Sequence, residues 1–324
     1  MDPERGVLAG GTSDEQAGHP APRSRSTEAG NGDAPAAPRI GIVGAGPVGI
    51  ALGVAISRAG WPVAAVSSRD PGRRERFRAL VPGSRAFADP SALLEEVDLG
   101  IIAVPDDAIP AVAESIRLYG GQSLVHTSGL LGTEVLQPAL AAGSQIGAFH
   151  PLVSFTADVE RSVAAISGST IAVEGDSRLL ALLADLAEAL GAVPVRLPPG
   201  SKPAYHAAAA MASGGLVALL DAIVTLGRVA GLDEPGALVV YGRLIEQTLA
   251  NAKSGGVKAA LTGPIARGDA GTLEAHLEAV RQFAPELLEL YEATARRELE
   301  LARERGSLAP DELDRVRAAL AKPV

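Results

Sequence analysis

Arg39-Ile40-Gly41-Ile42-Val43-Gly44-Ala45-Gly46-Pro47-Val48-Gly49 is the stretch that decides the fold. Its first half is a short apolar run typical of a buried strand, and the residues after Pro47 predict a helix that ends at Gly60. The turn between strand and helix has the spacing G-x-G-x-x-G. Glycine there permits a tight turn, close approach of the backbone to a pyrophosphate, and close packing of helix on strand. We therefore predict a dinucleotide-binding βαβ unit in which the cofactor contacts Gly44, Gly46, Pro47, Val48 and Gly49.

The end of the second predicted strand indicates which dinucleotide binds. An NAD-selective unit usually has an acidic residue here, which bonds the ribose 2′-hydroxyl. This chain has Ser67, Ser68 and Arg69 instead, and hydroxyls beside a guanidinium suit a 2′-phosphate. The sequence therefore favours NADP(H), with Arg73 and Arg74 as further candidates to bind the phosphate. A solvated turn with ordinary surface arginines is the alternative.

The composition narrows the classes of function. Of 324 residues, 47% are hydrophobic but only 3% aromatic, which suits an aliphatic core between helices and a sheet. A net charge of -9 argues against polymeric nucleic acid as a partner. The sequence has no cysteine, which fits the cytoplasm, and its histidines lack a metal-ligand spacing. We find no signal peptide, and Asp221 after an Ala- and Gly-rich run argues against a membrane span.

The chain divides into a tail and two predicted domains. Residues 1–38 are polar, rich in Gly and Pro and without apolar periodicity, which predicts a disordered tail. Over residues 39–198, short β-prone runs alternate with helical stretches, which predicts an α/β domain with a doubly wound parallel sheet, the Rossmann fold. After Pro198-Pro199-Gly200 the strand signals stop, and residues 199–324 are predicted to form an all-α domain.

The boundaries of the individual elements follow from the same patterns. The predicted strands are Ile40–Val43, Val63–Val66, Leu99–Val104, Ser123–His126, Gln145–Phe149, Thr170–Val173 and Val193–Leu197. The predicted helices include Ser177–Leu190 and, after the boundary, residues 201–230, 234–253, 271–305 and 310–322.

Loops at the carboxyl ends of the strands supply further candidates, because ligands of doubly wound sheets lie there. The stretch Val104-Pro105-Asp106 follows the third predicted strand, and we expect it at the cofactor. His126 and Ser128 follow the fourth strand and His150 follows the fifth. The two histidines would then line a substrate pocket. Ordinary cap and turn chemistry is the alternative explanation for each of these loops.

Six stretches of the sequence carry a resemblance to a known family. They are Gly41–Gly49, Ala103–Ile109, His126–Gly129, Phe149–Leu152, Lys202–Ala207 and Leu261–Asp269. The chain resembles Rossmann-like NADP oxidoreductases that end in an all-helical domain of formerly unknown function, relatives of ketopantoate reductase and pyrroline-5-carboxylate reductase. The resemblance implies an NADPH-binding domain, a helical domain that builds much of a homodimer, and a cleft between them. At Gly214 the family pattern has an asparagine, so an amide contact to substrate or nicotinamide is missing here.

A reductase of a carbonyl or imine needs a proton donor close to the atom that gains charge. Lys202 lies at the first turn after the interdomain break, where the related dehydrogenases have a catalytic lysine, and His206 follows one helical turn later. We predict that Lys202, His206, His126 and Ser128 take part in catalysis. The alternative is that Lys202 points into water and His206 packs at the domain boundary.

The loop Leu261–Asp269 joins a hydroxyl, a guanidinium and a carboxylate between Gly and Pro residues. We predict that its Thr262 and Arg267 bind the substrate together with His150, since a guanidinium suits a carboxylate. A turn between helices with a surface ion pair is the alternative.

Together these residues predict an NADPH-dependent reductase that converts a small 2-oxo acid, with ketopantoate as the first candidate substrate. A cyclic imine of the pyrroline-5-carboxylate type is the alternative substrate. A non-catalytic module that binds NADP(H) is the alternative function, and the missing amide at Gly214 is the reason to keep it.

Overall fold

The fold is an α/β sheet followed by helices, and it confirms the predicted fold class. The structure is a computed structural model that describes residues 37–321. Its strands are β1 Ile40–Val43, β2 Val63–Ser67, β3 Arg85–Phe87, β4 Leu99–Ile102, β5 Ser123–His126, β6 Gln145–Pro151, β7 Thr170–Glu174 and β8 Val193–Arg196. Within the described residues they form one sheet in the order β3-β2-β1-β4-β5-β6-β7-β8. The first six positions have the strand order of a dinucleotide-binding Rossmann fold.

Two features of the sheet differ from the sequence prediction. The sequence analysis does not predict β3, because three residues with no buried side chain leave no apolar run to recognise. Strands β6 and β7 pair antiparallel, so the prediction of a parallel sheet is wrong at this pair. The other neighbouring pairs of the described sheet are parallel. An antiparallel neighbour has the same local apolar pattern as a buried parallel one, so the sequence of β7 does not reveal its direction.

The helices agree closely with the prediction except at one place. They are α1 Pro47–Arg58, α2 Pro71–Leu80, α3 Pro90–Leu94, α4 Ile109–Ser115, α5 Gln137–Ala141, α6 Val159–Ile166, α7 Ser177–Ala189, α8 Lys202–Ala210, α9 Leu216–Val229, α10 Glu234–Gly255, α11 Val257–Ala260, α12 Ala270–Phe283, α13 Leu288–Arg305 and α14 Pro310–Ala321. A π-helical turn, Met211–Gly215, joins α8 to α9. The single helix predicted over 271–305 is wrong, because the chain leaves the helical conformation at Ala284 and a 3-10 turn begins at Pro285. Proline has no N–H to continue the helix.

The hydrophobic core lies on both faces of the sheet. Neighbouring residues of one strand point to opposite faces, so Ile101 packs in one cluster of buried side chains with Phe77 and Leu183, whereas Ile102 packs in a second cluster with Leu93. A third cluster joins α12, α13 and α14. The sheet and its two layers of helices therefore give the loops at the strand ends a rigid base.

One long helical segment is mostly outside these cores. Residues Lys202–Val229 form a helix that is long and apolar enough to cross a membrane by length and composition, with a window of mean hydropathy 1.9 that is only 6% buried. Of the 22 residues of α10, all of them described by the structure, Ala237 alone is buried. These two helices therefore have an apolar face that residues 37–321 do not cover.

The division into domains stays a prediction. The strands end at Arg196 and helices fill the chain from Lys202 to Ala321, where the sequence analysis expects the all-α domain. The tail predicted over 1–38 lies outside the described residues apart from its last two positions.

Candidate active site

A cavity of about 970 Å³ opens at the carboxyl ends of β1, β2, β4, β5 and β6. Since these strands are neighbours in the sheet, the residues after β2 lie at one side of the cavity and His150 of β6 lies towards the other. The cavity brings together most of the residues that the sequence singles out. These lining residues are Gly44, Gly46, Pro47, Val48, Ser67, Ser68, Arg69, Val104, Pro105, Asp106, Ser128, His150 and His206.

The glycine turn has the geometry of a pyrophosphate cradle. Gly44 has φ +112, and a Cβ there would overlap the carbonyl oxygen of Ala103. A Cβ on Gly46 would meet no atom within 4 Å, so the backbone is bare on the side where a ligand would approach. No side chain caps α1 at Gly46, which leaves the positive end of the helix dipole for an anion. The residues present therefore fit a dinucleotide.

Gly49 has a different task from the other glycines of the motif. It is buried and does not line the cavity, and a Cβ there would overlap the carbonyl oxygen of Gly44. Its lack of a side chain lets α1 pack against the turn, which is the helix-packing function expected of the third glycine. The sequence predicts that Gly49 contacts the cofactor; in the structure it packs α1 against the turn instead.

The side of the cavity after β2 carries the predicted site for a 2′-phosphate. Ser68, Arg69 and Arg73 line it, and Asp70 is the carboxylate nearest to them in sequence. Asp70 is already engaged, because it caps α2 through the N–H of Arg73 and lies 3.6 Å from the Arg73 guanidinium. Arg74 does not line the cavity. Its Nη1 donates to the carbonyl oxygens of Ser68 at 2.5 Å and Arg69 at 3.3 Å, which fixes the backbone of this loop.

Ser128 is predicted to be catalytic, but its hydroxyl is fully used inside the protein. The hydroxyl donates to Asp106 Oδ2 at 2.8 Å and accepts from the N–H groups of Leu130 at 3.1 Å and Leu131 at 2.9 Å. One donor and two acceptor sites are all that a serine hydroxyl offers. The prediction of a catalytic hydroxyl is therefore wrong in this arrangement, and Ser128 instead ties the loop after β5 to Asp106.

His126 does not line the cavity. It is 0% exposed, its Nδ1 accepts from the N–H of Ser128 at 3.2 Å, and its Nε2 lies 3.1 Å from the carbonyl oxygen of Gly132. Burial, followed by the charge of Lys202, lowers the pKa of His126 to about 4. A neutral ring that donates from Nε2 satisfies both contacts. The prediction of a catalytic His126 is corrected to a structural one.

His150 and His206 are the two imidazoles that do line the cavity. Their ring centroids lie 6.0 Å apart at an interplanar angle of 76°. His150 Nδ1 is 3.3 Å from the hydroxyl of Tyr205, and the buried Nδ1 of His206 has no hydrogen-bond partner within residues 37–321. Burial, followed by the charge of Lys202, lowers the pKa of His150 to about 4, so this ring is neutral at neutral pH.

Lys202 lies outside this cavity. It lines a second cavity of about 550 Å³ together with Glu134 and Glu174. Its side chain is 4% exposed, and its Nζ lies 3.8 Å from Glu174 Oε1, too far for a hydrogen bond. Burial lowers the pKa of Lys202 and raises that of Glu174. Lys202 thus lines the second cavity and not the one that His150 and His206 line, and its role as proton donor stays a prediction.

Thr262 and Arg267 are not brought to either cavity. Both side chains are exposed on the segment before α12. This segment is held by the far end of the chain, since Arg305 donates to the carbonyl oxygen of Leu261 at 2.8 Å. That these two residues bind the substrate stays a prediction.

Two residues of the site go beyond the sequence analysis. Gly129 lines the cavity between Ser128 and the imidazoles, and Tyr205 holds His150. A tyrosine one position before His206 is visible in the sequence, but only the fold shows that both face His150.

Comparisons with known proteins agree with this fold. Residues 25–151 match the model of a Rossmann-like domain, and residues 169–298 match that of a domain of unknown function, DUF2520. No curated protein sequence matches the chain.

Three solved structures show the same architecture. A Bacteroides fragilis protein provisionally named an NADP oxidoreductase is 21% identical, with a TM-score of 0.65 over 81% of this chain and 98% of that one. A reductive aminase from Aspergillus terreus, in complex with NADPH and ethyl-5-oxohexanoate, is 18% identical, with a TM-score of 0.63 over 87% and 99% of the two chains. A pyrroline carboxylate reductase from Plasmodium falciparum with NADP bound is 12% identical, with a TM-score of 0.56 over 82% and 98%.

At these identities the likeness shows the fold, and the names of the neighbours agree with the predicted class of NADP-dependent oxidoreductases. The two matched domains cover most of the described chain. The chain therefore joins a region similar to a Rossmann-like domain to a region similar to DUF2520.

Proposed function

We propose that the protein is an NADPH-dependent reductase of a small carbonyl or imine compound. The observation that carries this proposal is a single cavity with two kinds of lining. The bare glycine turn and the Ser68–Arg69 loop suit NADP(H), and the two imidazoles that line the same cavity suit the reacting end of a substrate.

The bound cofactor would supply a hydride to the carbon of a C=O or C=N group. The residues of the chain then have two tasks. His150, neutral and held by Tyr205, lies against Gly129 and lines the cavity beside His206. His206 donates a hydrogen bond from Nε2 to the substrate heteroatom and stabilises the charge that develops there, while solvent supplies the proton. The hydrogen bond between Ser128 and Asp106 holds the loop after β5 in place.

The substrate class is the finer part of the proposal. A 2-oxo acid such as ketopantoate is the first candidate carbonyl compound. The cationic side chains in the described cavity lining are Arg69 and Arg73, on the β2 side. A substrate carboxylate near His150 would therefore have no guanidinium or ammonium partner within one chain.

An imine is the second candidate substrate. The lining near His150 suits an imine that carries no carboxylate group. Two structural neighbours are named pyrroline carboxylate reductase and reductive aminase, and both names indicate enzymes that reduce C=N groups. A protonated imine also accepts hydride more readily than a carbonyl, so it makes a smaller demand on the proton donor.

The experiment follows NADPH oxidation with ketopantoate, other 2-oxo acids, pyrroline-5-carboxylate, and ketone plus amine mixtures. We expect turnover with one class and a loss on the order of 100-fold in kcat for His206→Gln, with the affinity for NADPH unchanged. His276→Gln is the matched control, since this histidine is exposed on α12 and lies outside the cavity lining. Tight NADPH binding without turnover across the panel would instead support the non-catalytic module and overturn the reductase.

We also propose that the protein is a homodimer in the cytoplasm. The apolar face of the helix Lys202–Val229 and of α10 needs a cover, and a second copy supplies a matching apolar face. A lipid bilayer is the other cover for an apolar helix. Asp221 and Arg228 on this helix are exposed, and Arg228 pairs with Glu234 at 3.4 Å, which favours protein over lipid. Recovery of the full chain in the membrane fraction would contradict this proposal.

A further inference from the structure

Gly129 lies between the two imidazoles of the cavity. A Cβ built on this glycine would lie 2.5 Å from His206 Nδ1 and 2.7 Å from His150 Nε2. Both distances are shorter than any ordinary contact of a methyl group. The two rings therefore close on the same backbone position, and a hydrogen is the largest substituent that fits there.

The backbone conformation does not by itself explain this glycine. Gly44 needs glycine because its φ is +112, but Gly129 is absent from the glycines with φ in the left-handed range. An L-residue can adopt the backbone of Gly129 without strain. The reason for glycine at this position is therefore its contact with the two rings.

The same contact assigns the nitrogens of His206. Its Nδ1 is buried against Gly129 and has no hydrogen-bond partner in the part of the chain that the structure describes. A proton on Nδ1 would point at a carbon and find no acceptor. Nε2 is thus the nitrogen through which His206 can donate a hydrogen bond to a ligand.

We propose that Gly129 is a positioning residue that sets the place of His150 and His206 against the substrate. This inference rests on the proposed reductase function and names a further residue of the same site. The atoms that a larger residue would strike are ring nitrogens at the ends of two side chains. A methyl group at position 129 would push both rings aside, separate His150 from Tyr205, and leave the sheet and the glycine turn unchanged.

The test compares Gly129→Ala with Gly120→Ala. Gly120 is a matched control because its Cβ would meet no atom within 4 Å and its φ also lies outside the left-handed range. We expect Gly129→Ala to lower kcat on the order of 100-fold, with an unchanged Kd for NADPH and an unchanged Tm. Gly120→Ala keeps all three values. Wild-type kcat in Gly129→Ala would overturn the proposal.

A second comparison separates positioning from a general effect on the loop. In a background with His150→Gln and His206→Gln, the change Gly129→Ala should cause no further loss of kcat, because the rings it displaces are gone. A further loss in that background would show that Gly129 acts by another route.

A readout without substrate keeps the inference apart from the proposed function. We expect the imidazole nitrogen NMR signals of His150 and His206 to shift in Gly129→Ala, while those of His276, which bonds Tyr291 at 2.8 Å, stay in place. Unchanged signals of His150 and His206 would overturn the positioning inference even if the wild-type protein has no turnover. Absence of turnover in the wild type alone would instead count against the reductase.

Discussion

Hydrogen-bond saturation divides the polar residues around the cavity into two groups. Ser128 uses its donor and both acceptor sites, and His126 uses both ring nitrogens, on partners inside the protein. His150 and His206 line the cavity, and His206 Nδ1 has no hydrogen-bond partner within residues 37–321. A group with no free donor or acceptor cannot exchange a proton with a ligand unless a native hydrogen bond breaks first. Polar residues around the same cavity thus have separate structural and chemical tasks.

The buried imidazoles should make stability depend on pH. The pKa values of His126 and His150 are lowered from 6.5 to about 4 in the folded protein, chiefly by burial. Between these two pH values the unfolded chain binds more protons than the folded one, so the free energy of unfolding rises with pH. This contribution is complete above pH 6.5 and is lost as the pH falls towards 4. Between pH 7.5 and pH 5 each imidazole accounts for roughly 2 kcal/mol.

Urea unfolding at these two pH values measures the effect. His126→Asn keeps an acceptor for the N–H of Ser128 but does not titrate, so its stability should vary less with pH than that of the wild type. His276→Asn, on the exposed side of α12, serves as the control. The same pH dependence in His126→Asn and wild type would contradict a neutral, buried His126.

At the scale of elements, α8 carries three side chains to two different places. Tyr205 and His206 face His150 in the cofactor cavity, whereas Lys202 turns towards Glu174 at the end of β7. A buried ion pair at the first turn of α8 fixes where this helix begins on the sheet. Through that start it fixes the position of His206, one turn further along.

Removal of Lys202 should therefore act first on stability. Lys202→Met leaves Glu174, whose side chain is only 20% exposed, without its cation, and we expect a loss of roughly 3 kcal/mol in the free energy of unfolding. The double variant Lys202→Met/Glu174→Gln should lose less, because no unpaired charge remains. Urea unfolding measures both. A Lys202→Met protein of wild-type stability that has lost turnover would instead identify Lys202 as the proton donor.

The sequence predicts elements that local patterns define. The glycine spacing after β1 and the apolar helix after Gly200 are local, and both are found where expected. The direction of β7 and the existence of β3 depend on which strand lies alongside, so no local pattern reveals them. The same limit applies to Lys202, because its neighbour Glu174 lies 28 positions earlier, on another element.

Site residues follow the same division. Residues that bind through the backbone, such as Gly44 and Gly46, are recognised from spacing alone. Polar side chains at strand ends are recognised as candidates, but their task depends on partners supplied by the fold. His126 and His150 both occupy a strand end, yet one ring is saturated by backbone groups and the other is open to the cavity.

At the scale of the molecule, an apolar surface remains on the helical segment. Met211 is 76% exposed and Val239 is 77% exposed, and both belong to the long helices that have few buried residues. Isolated apolar side chains on a surface are common, but a face that runs along two long helices marks an interaction site. The edge strand β8 is a second candidate, since its Val193 is 59% exposed and an edge strand can pair with another copy.

A pair of substitutions distinguishes these two surfaces. We expect Val239→Glu to convert the dimer to a monomer, because it places charges of the same sign against each other or against apolar groups in a symmetric interface. Val193→Glu, the matched control on β8, should leave the dimer intact. Light scattering after size-exclusion chromatography gives the mass of each variant. A monomer for Val193→Glu together with a dimer for Val239→Glu would show that the strands, and not the helices, join the two copies.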